Sequence, residues 1–159
     1  MLQRVQSLFL AGVIIAMAVA LLLPVWEEVH PNTNESLTVH TWYSIRSDAS
    51  GVQETIYVPY LAAGVLVMIT CIVAVVEFFK YNNRPTQLKL GKLNSLLLMA
   101  VLGLLFYLVY TQEDKILPNE NGDYQAGIIL PIVALLLNFM AGKFINKDEK
   151  LVRSVDRIR

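Results

Sequence analysis

Four long apolar runs, separated by polar segments, constrain this chain of 159 residues more than any other feature. The runs cover residues 8–26, 58–79, 88–110 and 126–145. A transmembrane helix needs about 20 predominantly apolar residues, so each run is long enough to cross a bilayer. Hydrophobic residues make up 55% of the chain and charged residues only 16%, which lies outside the range of soluble domains. We therefore predict one membrane domain, residues 1–159, with four membrane-spanning helices.

The first apolar run resembles a cleavable signal peptide, because it is apolar and lies near the N-terminus. At about 19 residues it exceeds the apolar region of a signal, and it ends in Leu-Pro-Val-Trp, where a signal has small residues. We expect a retained span with Trp26 at the membrane interface. Gly12, Ala16 and Ala20 recur every four positions, which favours close approach of another helix along that face. The alternative is that small residues are simply common in spans.

The polar segment after the first run, residues 27–57, carries a strand pattern. Residues 36–46 alternate apolar and polar side chains and are rich in β-branched and aromatic types, which is typical of a β-strand. Residues 47–51 supply turn chemistry, and residues 52–58 are suited to pair back as a second strand. The predicted fold class is therefore an all-α membrane protein, a four-transmembrane-helix bundle with a small β-hairpin in this first external loop. Residues 111–125 form the second external loop.

Basic residues are strongly segregated along the chain. Arg4, four basic residues within 80–92 and six within 143–159 would share one side of the membrane. The two external loops contain only Arg46 and Lys115, together with nine of the 13 acidic residues. Lysine and arginine near the ends of spans are retained in the cytoplasm. We therefore expect a multi-pass protein of the bacterial inner membrane with both termini in the cytoplasm.

Three phrases of the sequence resemble one protein family. They are the opening MLQRVQS, the segment KLGKLN at residues 89–94 and, most specifically, the tail phrase KDEKLVRSVDRIR at residues 147–159. Together they resemble a family of small bacterial four-span membrane proteins that is described as a domain of unknown function. The likeness extends over the whole chain. It implies a four-span inner-membrane protein, and it implies no reaction, cofactor or catalytic residue.

Polar residues inside the predicted spans are few, and they lie towards the cytoplasmic side. Glu77, Asn94 and Asn138 each lie within a few helical turns of that side. We predict that they meet, together with Arg4 or Gln6, in a hydrogen-bonded cluster that holds the helices in register. One alternative is an ion or proton path, which would need polar groups that continue outward. Another is that Glu77 extends to the interface and pairs with Lys80.

The cytoplasmic tail, residues 146–159, has the pattern of an amphipathic helix. Leu151, Val155 and Ile158 recur on one face. The basic residues on the flanks and the other face are Lys147, Lys150, Arg153, Arg157 and Arg159. We expect this surface either to lie against anionic lipid headgroups or to dock a membrane or cytoplasmic protein. The alternative is a basic anchor that only sets topology.

No residue pattern points to a reaction, a cofactor or a metal site. The chain has one cysteine, Cys71, and the spacing of His30 and His40 matches no metal-binding motif. The formal net charge is zero, so no nucleic-acid partner is expected. The leading hypothesis is a non-enzymatic accessory or scaffold subunit. The alternatives are a small transporter or channel component that acts as an oligomer and, third, an embedded enzyme that works on lipid.

Overall fold

The computed structural model describes residues 2–30, 33, 35–111 and 122–156, with side chains described between Val5 and Val152. Its helices are α1 (Leu2–Ala20), α2 (Tyr60–Phe79), α3 (Arg84–Tyr110) and α4 (Ala126–Asp156). The start of α3 shows how local chemistry sets a helix boundary. The Asn83 side chain accepts a hydrogen bond from the Thr86 N–H at 3.2 Å, and Pro85 lies in the first turn, where its missing N–H costs little.

Each helix buries one face, on which buried positions alternate three and four residues apart. On α2 they are Tyr60, Ala63, Val67, Thr70, Ala74 and Glu77, and on α3 they are Gln87, Gly91, Asn94, Leu98, Val101, Leu105 and Leu108. This spacing keeps one stripe of a helix against its neighbours. Helix α1 packs against α2 and α4, and α3 packs against α2 and α4. The apolar core therefore runs along the axis that the four helices share.

The small residues of α1 lie where that helix is packed. A Cβ added at Gly12 would lie 2.9 Å from Leu137 Cδ1 of α4, and both Ala16 and Ala20 are buried. Close helix approach of this kind needs small side chains, because a larger one would separate the backbones. The α1–α4 pair is the most extensive helix contact in the described structure.

A five-stranded antiparallel sheet covers one end of the helices. Its strands are β1 (Trp26–Val29), β2 (Ser36–Val39), β3 (Ser44–Ser47), β4 (Gln53–Ile56) and β5 (Asp123–Tyr124). They are ordered β4-β3-β2-β1-β5, and every neighbouring pair is antiparallel. The predicted fold class, an all-α four-helix bundle with only a small hairpin, is therefore wrong. The protein has a mixed fold of four helices and a five-stranded sheet.

One cause of the error is a strand that reverses. The segment predicted as one strand, residues 36–46, bends back at residues 40–43, where the His40 N–H donates to the Tyr43 carbonyl at 2.8 Å. An alternating pattern continues through such a reversal, so the pattern does not mark it. The β3–β4 pairing, with Gly51 at a φ of 79° in its turn, corresponds only to the second part of the predicted hairpin. The first part of the predicted strand forms the separate strand β2.

The other cause is pairing between distant parts of the chain. Trp26, predicted to end the first span at the membrane interface, is the first residue of β1 and pairs with Val39 on one side and Tyr124 on the other. Helix α1 ends earlier, at Ala20. The strand β5 is only two residues long and comes from the second polar loop, so no local pattern announces it. Its partner becomes evident only when the helices are packed.

The two ends of the helices differ in what covers them. The sheet lies where α1 and α3 finish and where α2 and α4 begin, and we call this the sheet end. The opposite end, where α2 finishes and α3 begins, carries Lys80, Lys89 and Lys92, and we call it the basic end. The predicted span at residues 126–145 and the first part of the predicted tail form one helix, because α4 continues to Asp156.

Within the described residues, three helices are long and apolar enough to cross a membrane. They are Tyr60–Phe79, Arg84–Tyr110 and Ala126–Val152. The described apolar part of α1, Val5–Ala20, is shorter. Large apolar side chains remain exposed on the outer faces of these helices, among them Ile72, Met99 and Leu136, as expected for surfaces that face lipid. The helices are thus compatible with a membrane protein, and the number of spans stays a prediction.

Candidate functional site

The buried stripes of the four helices change character towards the basic end. Near the sheet they carry mostly apolar residues, whereas towards the basic end they also carry polar ones. These polar members are Gln6 on α1, Glu77 on α2, Gln87 and Asn94 on α3 and Asn138 on α4, and each is at most 2% exposed. We call these five residues the polar layer. Buried polar groups in a membrane protein are costly and mark functional or registering positions.

Asn138 links α4 to α3 by hydrogen bonds within this layer. Its amide Nδ2 donates to the Gly91 carbonyl and to Ser95 Oγ, both at 2.8 Å, and Ser95 Oγ donates to the same Gly91 carbonyl at 3.0 Å. A second tie joins α3 to the end of α2, where Gln87 Nε2 donates to the Glu77 backbone carbonyl at 3.3 Å. These bonds hold three helices in register at the basic end.

Glu77 is the ionisable member of the polar layer, and the side chains of Gln6 and Asn94 share its lack of a hydrogen-bond partner among the described residues. The Glu77 carboxylate is fully buried, and no residue in the described part of the chain donates a hydrogen bond to either of its oxygens. It lies beside Gly91, where an added Cβ would be 2.8 Å from Oε1, so the glycine makes room for it. Burial of a carboxylate without a partner costs several kcal/mol. This group is therefore the strongest candidate for a functional residue.

A cavity of about 270 Å³ opens beside Glu77 between α3 and α4. The polar or charged residues of its lining are Glu77, Lys92, Ser95, Asn138, Lys143 and Asn146. The other lining residues are Leu88, Gly91, Phe139, Gly142 and Ile145. The volume is several times the roughly 30 Å³ that one water occupies in the liquid. It can thus hold a small organic group. The arrangement places one buried acid inside and two lysines at the outside.

The predicted polar cluster is only partly assembled in the described residues. Glu77 and Asn138 meet at Gly91, and Asn94 is buried one helical turn further along α3. However, no hydrogen bond between described residues joins the side chains of Glu77, Asn94 and Asn138 to one another. The side chain of Arg4 lies outside the described part of the structure. A registering role for this set stays a prediction.

The alternative in which Glu77 extends to the interface does not fit the geometry. Its side chain is 0% exposed. Its contact with Lys80 is made by the backbone, since the Lys80 N–H donates to the Glu77 carbonyl at 3.2 Å. Among the described side chains, Lys80 forms no ion pair with it.

The predicted docking residues of the tail are described in part. Lys147 and Lys150 are exposed on the last turns of α4, together with Leu151 and Val152. The side chain of Arg153 and the whole of Arg157 and Arg159 lie outside the described residues. Arg84 anchors this part of α4, because its guanidinium forms an ion pair with Asp148 at 2.9 Å and donates to the Asp148 carbonyl at 3.4 Å.

Sequence reasoning missed three contributors to the site, namely Gly91, Gln87 and the Arg84–Asp148 pair. The first two follow the buried stripe of α3, since Gln87, Gly91 and Asn94 are spaced four and three residues apart. Extending that spacing backwards from Leu98 would have identified them. The ion pair joins residues 64 positions apart, so no local pattern indicates it.

The sheet end offers a contrasting set of ionisable side chains. Gln125 Nε2 donates to the Glu27 carboxylate at 3.3 Å, and the His40 ring stacks on Tyr43 with centroids 4.7 Å apart. Burial lowers the pKa of His40, and the Glu27 carboxylate acts in the opposite direction. Within residues 2–30, 33, 35–111 and 122–156, no three His, Cys, Asp or Glu side chains are grouped to hold a metal ion.

The family described as Domain of unknown function (DUF4293) matches residues 2–158. Because the match covers nearly the entire chain, the protein belongs to this family, as the resemblance of its sequence phrases implied. No curated protein matches the chain.

Proposed function

We propose that this member of the family is a non-enzymatic accessory or scaffold subunit of the bacterial inner membrane, with both termini in the cytoplasm. The basic end would then face the cytoplasm and the sheet would face outward. The segregation of basic residues supports this orientation. Its partner would be a protein that docks on the last turns of α4.

The observation that carries the docking proposal is the continuity of α4. This helix runs unbroken from Ala126 to Asp156, so the described part of the tail continues the helix that would span the membrane. A segment that lay flat against headgroups would have to turn at the membrane surface. The ion pair of Arg84 with Asp148 instead fixes the extension to the start of α3. The extension is held as a defined surface.

The chemistry of that surface favours a protein over lipid. Lys147 and Lys150 are exposed beside the apolar side chains of Leu151 and Val152, which are 49% and 44% exposed. Exposed apolar groups rimmed by charge are typical of protein interaction sites. Asp148 lies between the lysines and weakens attraction to an anionic membrane surface. An acidic partner with an apolar groove matches this surface.

Site-directed photo-crosslinking tests the docking proposal. A photoreactive amino acid at Leu151 is expected to form an adduct with a protein in cells, and the charge reversals Lys147→Glu and Lys150→Glu are expected to abolish it. The same probe at Leu22, which is exposed near the sheet end, serves as the matched control. Adducts with lipid alone at Leu151, or adducts that survive charge reversal, would refute the docking of a protein here.

Orientation is tested separately by cysteine accessibility in a Cys71→Ser background. A membrane-impermeant thiol reagent is expected to label Ser50→Cys on intact cells, because residue 50 lies in the turn between β3 and β4. Asn83→Cys, in the connection between α2 and α3, is expected to react only after the cells are opened. Labelling of Asn83→Cys from outside would reverse the proposed orientation.

A second candidate function is transport, as one subunit of an oligomer. The cavity beside the buried Glu77 favours it, since intramembrane acids often lie on ion pathways. Against it, the buried stripe of α3 beyond Asn94 is apolar, with Leu98, Val101 and Leu105 fully or almost fully buried. A route through the described helices would need polar groups there.

Reconstitution in proteoliposomes tests transport. If the protein conducts, wild-type vesicles that enclose a pH-sensitive or ion-sensitive dye show a flux that Glu77→Gln abolishes and Glu54→Gln, on the exposed strand β4, leaves unchanged. On the accessory-subunit proposal, the flux of wild-type vesicles equals that of empty vesicles.

A further inference from the structure

The cavity beside Glu77 has the properties of a binding site that is separate from the exposed side chains of Leu151 and Val152. Its inner wall holds a carboxylate that is 0% exposed, and its outer wall holds the ammonium groups of Lys92 and Lys143.

The amide donors of Asn138 and Gln87 are engaged away from the Glu77 carboxylate. Asn138 Nδ2 donates to the Gly91 carbonyl and to Ser95 Oγ. The amide of Gln87 donates to the backbone carbonyl of Glu77 and not to its carboxylate. Both carboxylate oxygens are therefore left without a donor from the described residues. A ligand with N–H groups on a cationic nitrogen would satisfy the oxygens and neutralise the charge.

The outer wall of the cavity is positively charged and therefore favours an anionic group on the ligand. Lys92 and Lys143 are exposed, and in the described part of the chain neither forms an ion pair. Lys143 Nζ lies 4.6 Å from the centroid of the Phe139 ring, which also lines the cavity. Two ammonium groups at one mouth are suited to a phosphate, which accepts from several donors at once. The cavity thus has the Glu77 carboxylate on its inner wall and the ammonium groups of Lys92 and Lys143 at its mouth.

The cavity also faces the side of the molecule. Phe139 is 59% exposed although it lines the cavity, and an added Cβ at Gly142 would meet nothing within 4 Å. An exposed aromatic on a helix that is long and apolar enough to cross a membrane faces lipid. A headgroup can therefore enter from the bilayer between α3 and α4 without crossing the apolar core.

We propose that the cavity between α3 and α4 binds a primary ammonium joined to a phosphate, with the ammonium on Glu77 and the phosphate on Lys92 and Lys143. Aminophospholipid headgroups and soluble phosphoethanolamine share this chemistry. A choline headgroup lacks the N–H groups that the carboxylate needs, and a purely anionic headgroup brings no cation to it. The site therefore selects an ethanolamine-type headgroup.

The test uses the full-length protein in mild detergent after lipid removal. Phosphatidylethanolamine, phosphatidylcholine and phosphatidylglycerol with identical acyl chains are added separately, and retention of each is measured by native mass spectrometry. We expect wild-type protein to retain the ethanolamine lipid about tenfold more strongly than either of the other lipids. Only the ethanolamine headgroup can form a charge-assisted N–H hydrogen bond to the Glu77 carboxylate. Equal retention of ethanolamine and choline lipids would overturn the proposal.

Matched variants locate the binding in this cavity. Glu77→Gln is expected to abolish the preference for ethanolamine over choline lipid, whereas Glu54→Gln on β4 keeps it. Lys92→Gln with Lys143→Gln is expected to weaken retention of the ethanolamine lipid, whereas Lys89→Gln, on the same helix as Lys92 but outside the cavity lining, does not. A Glu77→Gln variant that keeps the full preference would overturn the proposal.

A second type of variant keeps the test decisive if Glu77→Gln fails to fold. Gly142→Leu places a side chain in the open space beside the cavity, and it is expected to exclude the headgroup while the carboxylate stays in place. Gly103→Leu is the control, because an added Cβ there also meets nothing within 4 Å and the residue lies outside the cavity lining. Unchanged lipid retention by Gly142→Leu would contradict the assignment.

A competition arm separates the two sources of this chemistry. Soluble phosphoethanolamine is titrated into protein loaded with the ethanolamine lipid. Displacement at millimolar concentration would identify a site open to the water-soluble compound as well, and persistence of the lipid would identify a lipid site proper. Either outcome supports the shared chemistry.

Discussion

The two ends of the helices are stabilised by different physical means. At the sheet end, backbone hydrogen bonds join five strands, and the fully buried Trp26 lies among apolar residues of the core. At the basic end, the same buried stripes carry five polar side chains, one of which is the Glu77 carboxylate, and a cavity opens beside it. Apolar burial and strand pairing stabilise the first end, and the second end combines buried polar groups with a cavity.

The cavity, and not unsatisfied polar groups as such, marks the basic end as the candidate for binding. Buried side-chain atoms without a hydrogen-bond partner among the described residues occur at both ends, such as Trp26 Nε1 and Thr41 Oγ1 at the sheet end, but at the basic end one such group, the Glu77 carboxylate, lines the cavity. Glycines reinforce the contrast. Gly64 and Gly122 give room to the indoles of Trp42 and Trp26, whereas Gly91 gives room to a carboxylate.

The largest effect is expected from Trp26→Ala at the sheet end. Removing a fully buried indole leaves a cavity and should lower the free energy of unfolding by about 3–5 kcal/mol. Thermal unfolding in mild detergent, followed by circular dichroism, measures it. Leu22→Ala is the control, because Leu22 is 76% exposed and its truncation should cost less than about 0.5 kcal/mol. Equal losses in the two variants would remove the structural role assigned to the sheet end.

A smaller loss is expected from Gly64→Ala, also at the sheet end. The new methyl group would occupy the position of the Trp42 ring and would push the bend between β2 and β3 off α2. Overpacking of this kind costs about 1–3 kcal/mol. Gly103→Ala, where nothing lies within 4 Å, should instead stabilise the helix by up to about 1 kcal/mol in the same unfolding assay. A higher free energy of unfolding for Gly64→Ala would show that the bend between β2 and β3 does not pack against α2.

These contrasts also explain how much the sequence alone could predict. The apolar runs predicted the three longest helices, because each helix must bury or embed its length. The inward position of Glu77 and Asn138 followed from their place in otherwise apolar spans. The extent of the sheet could not be predicted, since β5 is two residues long and its Tyr124 pairs with Trp26 of β1, 98 positions earlier in the chain. The cavity depends on the contact of Glu77 with Gly91 and therefore on helix packing.

A still smaller effect is expected from Arg84→Ala at the basic end. Arg84 and Asp148 are 21% and 14% exposed, so solvent screens their ion pair, which should contribute about 1 kcal/mol or less. A double-mutant cycle with Asp148→Ala, read by thermal unfolding, isolates the coupling. Coupling larger than about 2 kcal/mol would show that the basic end, too, relies on a strong structural tie.

The smallest effect concerns pH at the sheet end. Because burial lowers the pKa of His40 below its ordinary value, the unfolded chain binds more protons than the folded chain near that value. Stability should therefore be fully present above the ordinary pKa and should fall as the pH drops through the lowered one. The melting temperatures of wild type and His40→Asn at about pH 7.5 and about pH 5 measure this, and the variant should lose less on acidification. An equal loss would assign the pH dependence to other groups.

The most direct test of the contrast between the ends is the stability of Glu77→Gln in lipid-free protein. If Glu77 is retained for binding, the isosteric amide removes a buried acid group that has no partner among the described residues, and the free energy of unfolding should be unchanged or higher by up to about 2 kcal/mol. The same variant should lose selective headgroup retention. A loss of about 2 kcal/mol or more in lipid-free protein would contradict the account, because it would make the carboxylate a structural tie of the polar layer.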